Sequence, residues 1–198
     1  MKPVIKNILF ILSAIVISPL IIIYKVLSLV DKSDQPFASC SQLLSLLPGK
    51  TGNYLRASFY FFCMQGCKKD CVISFLSVFS QWATELESGV YIGSGCNIGS
   101  SHIMKNTLLG SGVHIMSGKK QHHINDLETP IKDQGGDYEK IVIGEDCWIG
   151  NGALVMADIG EHSIIGAGSV VVDKIPPFSI AVGNPAKVIQ TRKPDAMA

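Results

Sequence analysis

The sequence predicts an all-β solenoid, in which each short strand contributes one inward aliphatic residue before the chain turns a corner. Three observations lead to this prediction. In the last third of the 198-residue chain an aliphatic residue returns mostly every six positions, a glycine follows four of these residues, and a weaker upstream stretch keeps the same period. This period matches neither strand alternation nor a helical turn, so each coil must bury its aliphatic residues against neighbouring coils. A β-sandwich with regular turns is the alternative. The recurring residues are Ile143, Ile149, Val155, Ile159, Ile165, Val171 and Ile175, preceded by Leu86, Ile92, Ile98, Leu109 and Ile115.

Residues 1–31 are predicted to be a membrane segment. Residues 8–30 are almost wholly apolar, and as one helix they would extend about 34 Å, just enough to span the hydrocarbon of a bilayer. Pro19 lies in the middle of this run and lysines flank both ends. Two topologies therefore remain, a kinked transmembrane helix and a re-entrant hairpin. The central proline favours the hairpin, with both ends in the cytoplasm.

Residues 32–70 are predicted to contain a linker followed by an amphipathic helix over residues 54–70. A solenoid needs a cap because its terminal coil exposes an apolar cross-section. We therefore expect the aromatic face of this helix to cover the open end of the solenoid. Contact with lipid is the alternative. The aromatic residues are Tyr54, Phe59, Tyr60, Phe61 and Phe62.

Residues 71–198 are predicted to form the solenoid domain, which is interrupted once by a polar loop over residues 117–141. The loop lacks the six-residue period and contains Gly135 and Gly136. A long loop that leaves a regular solenoid is more often functional than structural. The C-terminal tail after the last repeat is expected to leave the solenoid and to fray.

Composition and spacing argue against several functions. The formal net charge of +1 gives no electrostatic argument for binding nucleic acid. The six cysteines lack the paired spacing of a zinc site and are interpreted as small buried residues. No two histidines are five residues apart, which is the spacing of zinc ligands in some solenoid enzymes, so we expect no metal. No Ser or Cys is paired with a base in a recognisable nucleophile motif. His114 and His162 fall within repeats and are interpreted as structural, while His102 is assigned no role.

The loop supplies the candidates for acid–base chemistry. His122 and His123 lie in it and are followed by Asn125, Asp126 and Glu128. An imidazole can accept a proton near neutral pH, and a nearby carboxylate or carbonyl can fix its tautomer. The pattern therefore suggests a histidine general base that acts on a bound acceptor.

The repeats, the loop and the C-terminal segment together resemble the hexapeptide-repeat acyltransferases. The similarity covers roughly residues 70–192, and its most specific parts are GVHIMSGKKQHHIND, IVIGEDCWIGNGALVM and IPPFSIAVGNPAKVI. It is strongest to the branch with galactoside, maltose, xenobiotic and polysaccharide O-acetyltransferases. The resemblance implies a left-handed parallel β-helix, acetyl-CoA as acyl donor, and a homotrimer whose active sites lie between neighbouring subunits.

The resemblance also implies roles for individual residues. His122 matches the register of the catalytic base, and His123 is the second candidate. His123, Asn125 and Trp148 would contact the acceptor or line its cleft. Small residues and a recurrent turn would hold acetyl-CoA. These are Gly150, Ala167, Gly168, Asn184, Pro185 and Lys187.

The expected function is transfer of an acetyl group from acetyl-CoA to a hydroxyl group of a saccharide. The apolar residues 8–30 suggest an acceptor at the membrane, such as a lipid-linked or surface saccharide. Because acetyl-CoA is a cytoplasmic metabolite, the solenoid is expected at the cytoplasmic face of the inner membrane. The alternatives are N-acylation of an amino sugar nucleotide, and an inactive, membrane-bound trimeric scaffold.

Overall fold

Three helices at the N-terminus precede a long series of short strands. The computed structural model describes residues 3–192. The helices are α1 (Pro3–Val30), α2 (Gln35–Ser45) and α3 (Gly49–Cys63). Helix α2 lies where the sequence predicted a linker. Helix α3 begins five residues before the predicted amphipathic helix, which covered residues 54–70, and ends seven residues before its predicted end.

Helix α1 is one continuous helix through Pro19, so the predicted hairpin is wrong. Proline has no N–H to donate to the carbonyl of Ile15, which would weaken the helix at this point. The hydroxyl of Ser18 donates to that same carbonyl oxygen, 2.8 Å away, and so replaces the missing donor. By length and composition, Val4–Val30 is apolar enough to cross a membrane.

Helices α2 and α3 cover the N-terminal end of the solenoid. Phe59 and Tyr60 are fully buried, and the ring of Tyr60 lies 4.8 Å from that of Phe79 in the first coil. Phe61 and Phe62, on the other side of α3, are exposed. The aromatic residues of α3 are therefore divided between the core and the surface.

Arg56 is a fully buried cation that joins the cap to the first coil. Its Nε donates to the carbonyl of Ile73, and its Nη1 donates to the carbonyls of Leu44 and Leu47 at the end of α2. Burial lowers the pKa of the guanidinium. Without this side chain, each of these three carbonyls would lose a hydrogen bond from a charged donor.

The strands form three sheets, which are the three faces of a prism. Neighbouring strands within each sheet are parallel, except for the last pair of sheet B, which is antiparallel. Sheet A contains β1 (Gly66–Cys67), β4 (Glu85–Leu86), β7 (Ser101–Ile103) and β10 (Ile141–Ile143). Sheet B contains β2 (Val72–Ile73), β5 (Tyr91–Ile92), β8 (Leu108–Leu109), β11 (Trp148–Ile149), β13 (Ile164–Ile165), β15 (Ser179–Gly183) and β16 (Ala186–Thr191). Sheet C contains β3 (Val78–Phe79), β6 (Asn97–Ile98), β9 (His114–Ile115), β12 (Leu154–Val155) and β14 (Val170–Val171).

The predicted solenoid is confirmed, and the chain makes about six coils. The recurring aliphatic residues point inward; Ile143, Ile149 and Val155, for example, are completely buried. Corners require close approach of successive coils: a Cβ on Gly144 would overlap the backbone nitrogen of Glu161. The first strand begins at Gly66, earlier than the predicted boundary at residue 71.

The C-terminal segment differs from its prediction. Strand β16 does not fray but pairs antiparallel with β15. It thereby covers the strand edge that the last coil would present to solvent. Residues 193–198 of the predicted tail lie outside the described residues.

Candidate active site

A cavity of about 270 Å³ lies on the outer side of sheet C. Side chains from several coils line it, together with two residues of the loop. The lining includes Ser80, Asn97, His114, Ser117, Gln121 and Leu154. A concave site with a mixed polar and apolar lining can hold a ligand that carries hydroxyl groups.

The sequence did not assign His114 and Asn97 to the site. They face outward in register on neighbouring strands, with Asn97 paired to His114 and His114 to Leu154. Each directly precedes an inward aliphatic residue, because successive residues of a strand point to opposite faces. The position before each repeat aliphatic was therefore the signal that could have found them.

The loop 117–141 leaves the prism at the end of β9 and returns to β10 as two adjacent arms. Backbone N–H groups of Glu139, Asp137 and His123 donate across the arms, at 3.0, 2.8 and 2.9 Å, to the carbonyls of residues 117, 120 and 135. A Cβ on Gly136 would overlap the carbonyl oxygen of residue 121, so only glycine allows this contact. The loop includes a short 3₁₀ helix, Ile131–Asp133.

The tip of the loop is held by Asp126 and Gln134. The amide of Gln134 donates to the carbonyls of Asp126 and Thr129, at 2.6 and 2.7 Å. Asp126 accepts from the backbone N–H groups of Glu128 and Thr129. Hydrogen bonds from Thr129 and Glu128 lower the pKa of Asp126. These contacts give the loop a defined shape.

His122 and His123 both lie on the first arm, and both are exposed. The Nε2 of His123 is 3.3 Å from Oδ2 of Asp137 on the second arm. His122 directly follows Gln121, which lines the cavity. Within residues 3–192, His122 and Asn125 make no side-chain hydrogen bond or ion pair. A carboxylate, that of Asp137, therefore orients His123 but not His122.

Five of the six predicted cofactor-binding residues lie along one edge of the prism. Gly150, Ala167 and Gly168 occupy the corner between sheets B and C, where a Cβ on Gly150 would lie 2.5 Å from the nitrogen of Ala167. The N–H of Gly183 donates to the hydroxyl of Ser169, 3.1 Å away, which places the β15–β16 turn beside this corner. Asn184 and Pro185 form that turn, and the exposed Lys187 lies on β16.

Trp148 is not part of the same surface as the cavity. It lies on β11 in sheet B, between Leu108 and Ile164, and is 54% exposed. Within one chain, this indole therefore faces away from sheet C. Trp148 could line a cleft with the loop only if that loop came from another copy of the chain.

The remaining histidines contact neighbouring side chains, and the cysteines are buried. His162 stacks on Phe178 with ring centroids 5.1 Å apart, and His102 Nε2 lies 2.9 Å from Oε1 of Glu87. All six cysteines are buried and free. Among the residues that the structure describes, no group of three or more His, Cys, Asp or Glu could hold a metal ion.

Several known proteins are similar in sequence to parts of this chain. A protein of Mycobacterium tuberculosis named as a probable acetyltransferase is 43% identical over 74 residues, which are 36% of this chain and 25% of that protein. One of Staphylococcus aureus, also named as an acetyltransferase, is 53% identical over 58 residues, 27% of this chain and 29% of that protein. The chain thus spans less than a third of these relatives. No family model matches.

Solved structures match over more of the chain. The hexapeptide-repeat acetyltransferase of Vibrio cholerae superposes with a TM-score of 0.68 at 19% identity, over 81% of this chain and 93% of that one. The chain has the fold of the hexapeptide-repeat acetyltransferases. A maltose O-acetyltransferase of Clostridium difficile gives a TM-score of 0.61 at 22% identity, over 81% of this chain and 87% of that one.

A third structure with this fold contains ligands. A point mutant of the Bacillus cereus N-acyltransferase AntD was solved with coenzyme A and an amino-dideoxyglucose nucleotide. It superposes with a TM-score of 0.52 at 15% identity, over 65% of this chain and 73% of that one. The predicted fold class, a left-handed parallel β-helix with N-terminal helices, is confirmed.

Proposed function

We propose that this protein is an acetyltransferase that moves an acetyl group from acetyl-CoA to a saccharide hydroxyl, as a homotrimer at a membrane. The observation that carries the proposal is the layout of sheet C. A histidine-bearing loop lies at one edge, a cavity with several polar side chains lies on the sheet, and a row of small residues follows the other edge. Partial sequence similarity to proteins named as acetyltransferases supports the same reaction class.

In the proposed mechanism His122 acts as the general base. Its imidazole takes the proton from the acceptor hydroxyl while that oxygen attacks the thioester carbonyl of acetyl-CoA. The tetrahedral intermediate then collapses, the carbon–sulfur bond breaks, and the imidazolium returns the proton to the thiolate of CoA. Backbone N–H groups of the cleft would stabilise the oxyanion.

His123 is the second candidate for the base. Its contact with Asp137 can fix the tautomer and stabilise the imidazolium, which is an arrangement that a base needs. His122 follows the cavity-lining Gln121, whereas His123 is one residue further along the arm. Position therefore favours His122, and carboxylate pairing favours His123.

The corner between sheets B and C supplies the proposed path for the pantetheine arm. Gly150, Ala167 and Gly168 keep side chains off this edge, so that backbone groups can be approached closely. The turn at Asn184 and Pro185 follows at the end of the same edge, and Lys187 can meet a phosphate of CoA as a point charge.

The position of Trp148 supports the proposed trimer. Its exposed ring lies on a different sheet from the cavity, in a ladder with the exposed Tyr91 and Leu108. Apolar exposed ladders are suited to contact with another copy of a chain. A neighbouring subunit would then bring its Trp148 to the loop and complete the cleft.

The acceptor is proposed to be a saccharide because the cavity offers a histidine, an asparagine, a glutamine and serines as hydrogen-bond partners. The apolar helix α1 supports an acceptor at the cytoplasmic face of the inner membrane, such as a lipid-linked or surface saccharide. The two alternatives, N-acylation of an amino sugar nucleotide and an inactive scaffold protein, are tested by the following experiment.

The test measures CoA release from acetyl-CoA by the full chain in detergent, with saccharides and amino sugar nucleotides as acceptors. Turnover with hydroxyl acceptors alone supports the proposal. Turnover that requires an amine would establish N-acylation, and no turnover with any acceptor, despite CoA binding, would favour the scaffold.

The His122→Ala variant is expected to lose about 10²–10⁴-fold in kcat while binding CoA normally. His123→Ala is the matched control, and full activity of His122→Ala with loss in His123→Ala would reassign the base. His114→Ala is expected to raise KM for the acceptor about tenfold with little change in kcat, because it would remove a hydrogen bond in the cavity.

A further inference from the structure

Helix α1 has two faces with different surroundings. The inner stripe, spaced by seven residues, contains Phe10, Ile17 and Tyr24 and packs against the cap. The ring centroids of Phe10 and Phe61 are 5.4 Å apart, and the carbonyl of Phe10 accepts a hydrogen bond from the hydroxyl of Ser58. On the outer face, large aliphatic side chains are between 51% and 67% exposed. They include Ile8, Leu12, Ile15, Val16, Ile23 and Val26.

The contacts of the inner stripe extend along most of the helix. At the other end, Tyr24 packs on Phe37 of α2 and Phe59 of α3, with ring centroids 6.0 and 5.9 Å apart. From Phe10 to Tyr24 the helix rises about 21 Å. Over this length one side of α1 is occupied by protein, and the first coil follows directly behind α3.

We propose that α1 lies in the plane of the membrane, with its outer face in one leaflet and its inner stripe on the cap of the solenoid. A helix that crossed the bilayer would place Phe10–Tyr24 in the hydrocarbon, together with α3 and the first coil. That coil exposes Lys68, Lys69 and Asp70, which are costly groups in hydrocarbon. The segments outside the stripe, Val4–Leu9 and Lys25–Val30, are too short to span.

Lipid is the occupant that fits this surface. The outer face is continuous with an open groove of about 530 Å³ between α1 and α3, which has an almost wholly apolar lining that includes Ile11, Ile22 and Phe62. An acyl chain can fill such a groove. The exposed Lys6 and Lys25 lie near the two ends of α1 and suit the headgroups of anionic lipid.

This inference rests on the proposed membrane attachment but not on the proposed acetyl transfer. The first experiment is flotation of the full chain with vesicles of phosphatidylcholine, with and without phosphatidylglycerol. We expect flotation, stronger with the anionic lipid, and a loss of at least tenfold in the bound fraction for the double variant Leu12→Gln, Val16→Gln. Leu127→Gln, an exposed leucine of the loop, is the control and should float normally. Failure to float would overturn the inference and leave the enzymatic proposal to its own assay.

The second experiment distinguishes the in-plane helix from a spanning one. Single cysteines are introduced at Val4 and Val30, the two ends of α1, and at Ser94 on the solenoid. The native cysteines can stay because all six are buried. In intact bacterial cells an impermeant maleimide should label none of the three sites, and in inverted membrane vesicles it should label all three. Labelling of one end of α1 from outside the cell would overturn the in-plane orientation, even if flotation and activity were normal.

Discussion

Arg56 illustrates how one side chain can join two parts of the molecule. The burial of Arg56 cannot be predicted from helical periodicity, because periodicity assigns a charged residue to the exposed face of an amphipathic helix. Its three carbonyl partners come from α2, from the turn after it and from the first coil. The cap is therefore attached by hydrogen bonds as well as by aromatic packing.

Replacement of Arg56 by Met should lower the free energy of unfolding by about 3 kcal/mol, because three carbonyls would each lose a hydrogen bond from a charged donor. The measurement is urea unfolding in a constant detergent, followed by circular dichroism. Arg56→Lys should restore part of the loss, since an ammonium can reach fewer of the carbonyls. Equal stability of all three proteins would show that the hydrogen bonds contribute nothing net.

Cys147 is expected to make the stability of the solenoid sensitive to alkaline pH. Burial raises the pKa of this thiol to about 11, from an ordinary value of 9.0. The folded state therefore holds the proton more tightly than the unfolded state, so the stability linked to Cys147 is complete below pH 9 and is lost as pH rises toward 11. Its Sγ donates to the carbonyl of Gly160, 3.2 Å away.

Urea unfolding at pH 7, 9 and 10.5 tests this linkage. The wild type is expected to lose stability between pH 9 and 10.5, and Cys147→Ala should lose less over the same interval even if its stability at pH 7 is lower. A variant with the wild-type pH slope would show that Cys147 does not contribute to the alkaline transition.

The corners show how elements of this fold constrain single positions. Gly144 needs no positive φ, yet a Cβ there would overlap the backbone of Glu161. Gly95 has φ of +71° and open space around it. The first glycine is required by the spacing between coils, and the second by the conformation of the turn.

The two substitutions should consequently differ in size. Gly144→Ala is expected to cost about 2–3 kcal/mol, since rigid backbone must move apart, whereas Gly95→Ala is expected to cost about 1 kcal/mol for the left-handed conformation. Thermal or urea unfolding of both variants measures the difference. A larger loss for Gly95→Ala would mean that coils separate more easily than this geometry implies.

Elements with a repeat were predictable from sequence, and elements held by unique contacts were not. Most inward residues from Leu86 onward follow from the six-residue period, as does the position of the loop. The inward residues Ile73, Phe79 and Ile103 were not predicted. Helix α2 was missed because its residues carry a proline and several serines, and its packing on Phe79 depends on tertiary contacts. Helix α1 continues past Pro19 with a hydrogen bond from the hydroxyl of Ser18 to the carbonyl of Ile15, a contact that hydropathy does not register.

The candidate site was predicted in part for the same reason. The small residues along the corner were named from the resemblance to the hexapeptide-repeat acyltransferases, and the histidines of the loop from their place in the polar loop and from that resemblance. The cavity on sheet C requires outward residues of several coils to come together, and the contact between His123 and Asp137 requires the two arms of the loop to be adjacent. Both features depend on contacts between residues that are far apart in the sequence, which a local pattern does not reveal.

At the scale of the whole molecule, the proposed trimer makes activity a property of pairs of chains. If Trp148 and His122 of one site come from different subunits, an inactive His122→Ala chain and an inactive Trp148→Ala chain should complement each other. Random mixing would restore about a quarter of the sites. Activity of reassembled mixtures, with mixed trimers verified by two affinity tags, is the measurement. Mixed trimers without any recovered activity would place both residues in one chain's site.

The number of coils also sets the distance between the loop and the N-terminal helices. Adjacent parallel strands are about 4.8 Å apart, and His114 lies on the third strand of sheet C, so it stands roughly 10 Å above the first coil. Two layers of helix below that coil add about 20 Å, at 10 Å per helix. With α1 on the lipid surface, the loop is thus held at a height of roughly 30 Å. A saccharide on a lipid carrier would reach this height only after several sugar units had been added, so the number of coils would set the shortest chain that can be acetylated.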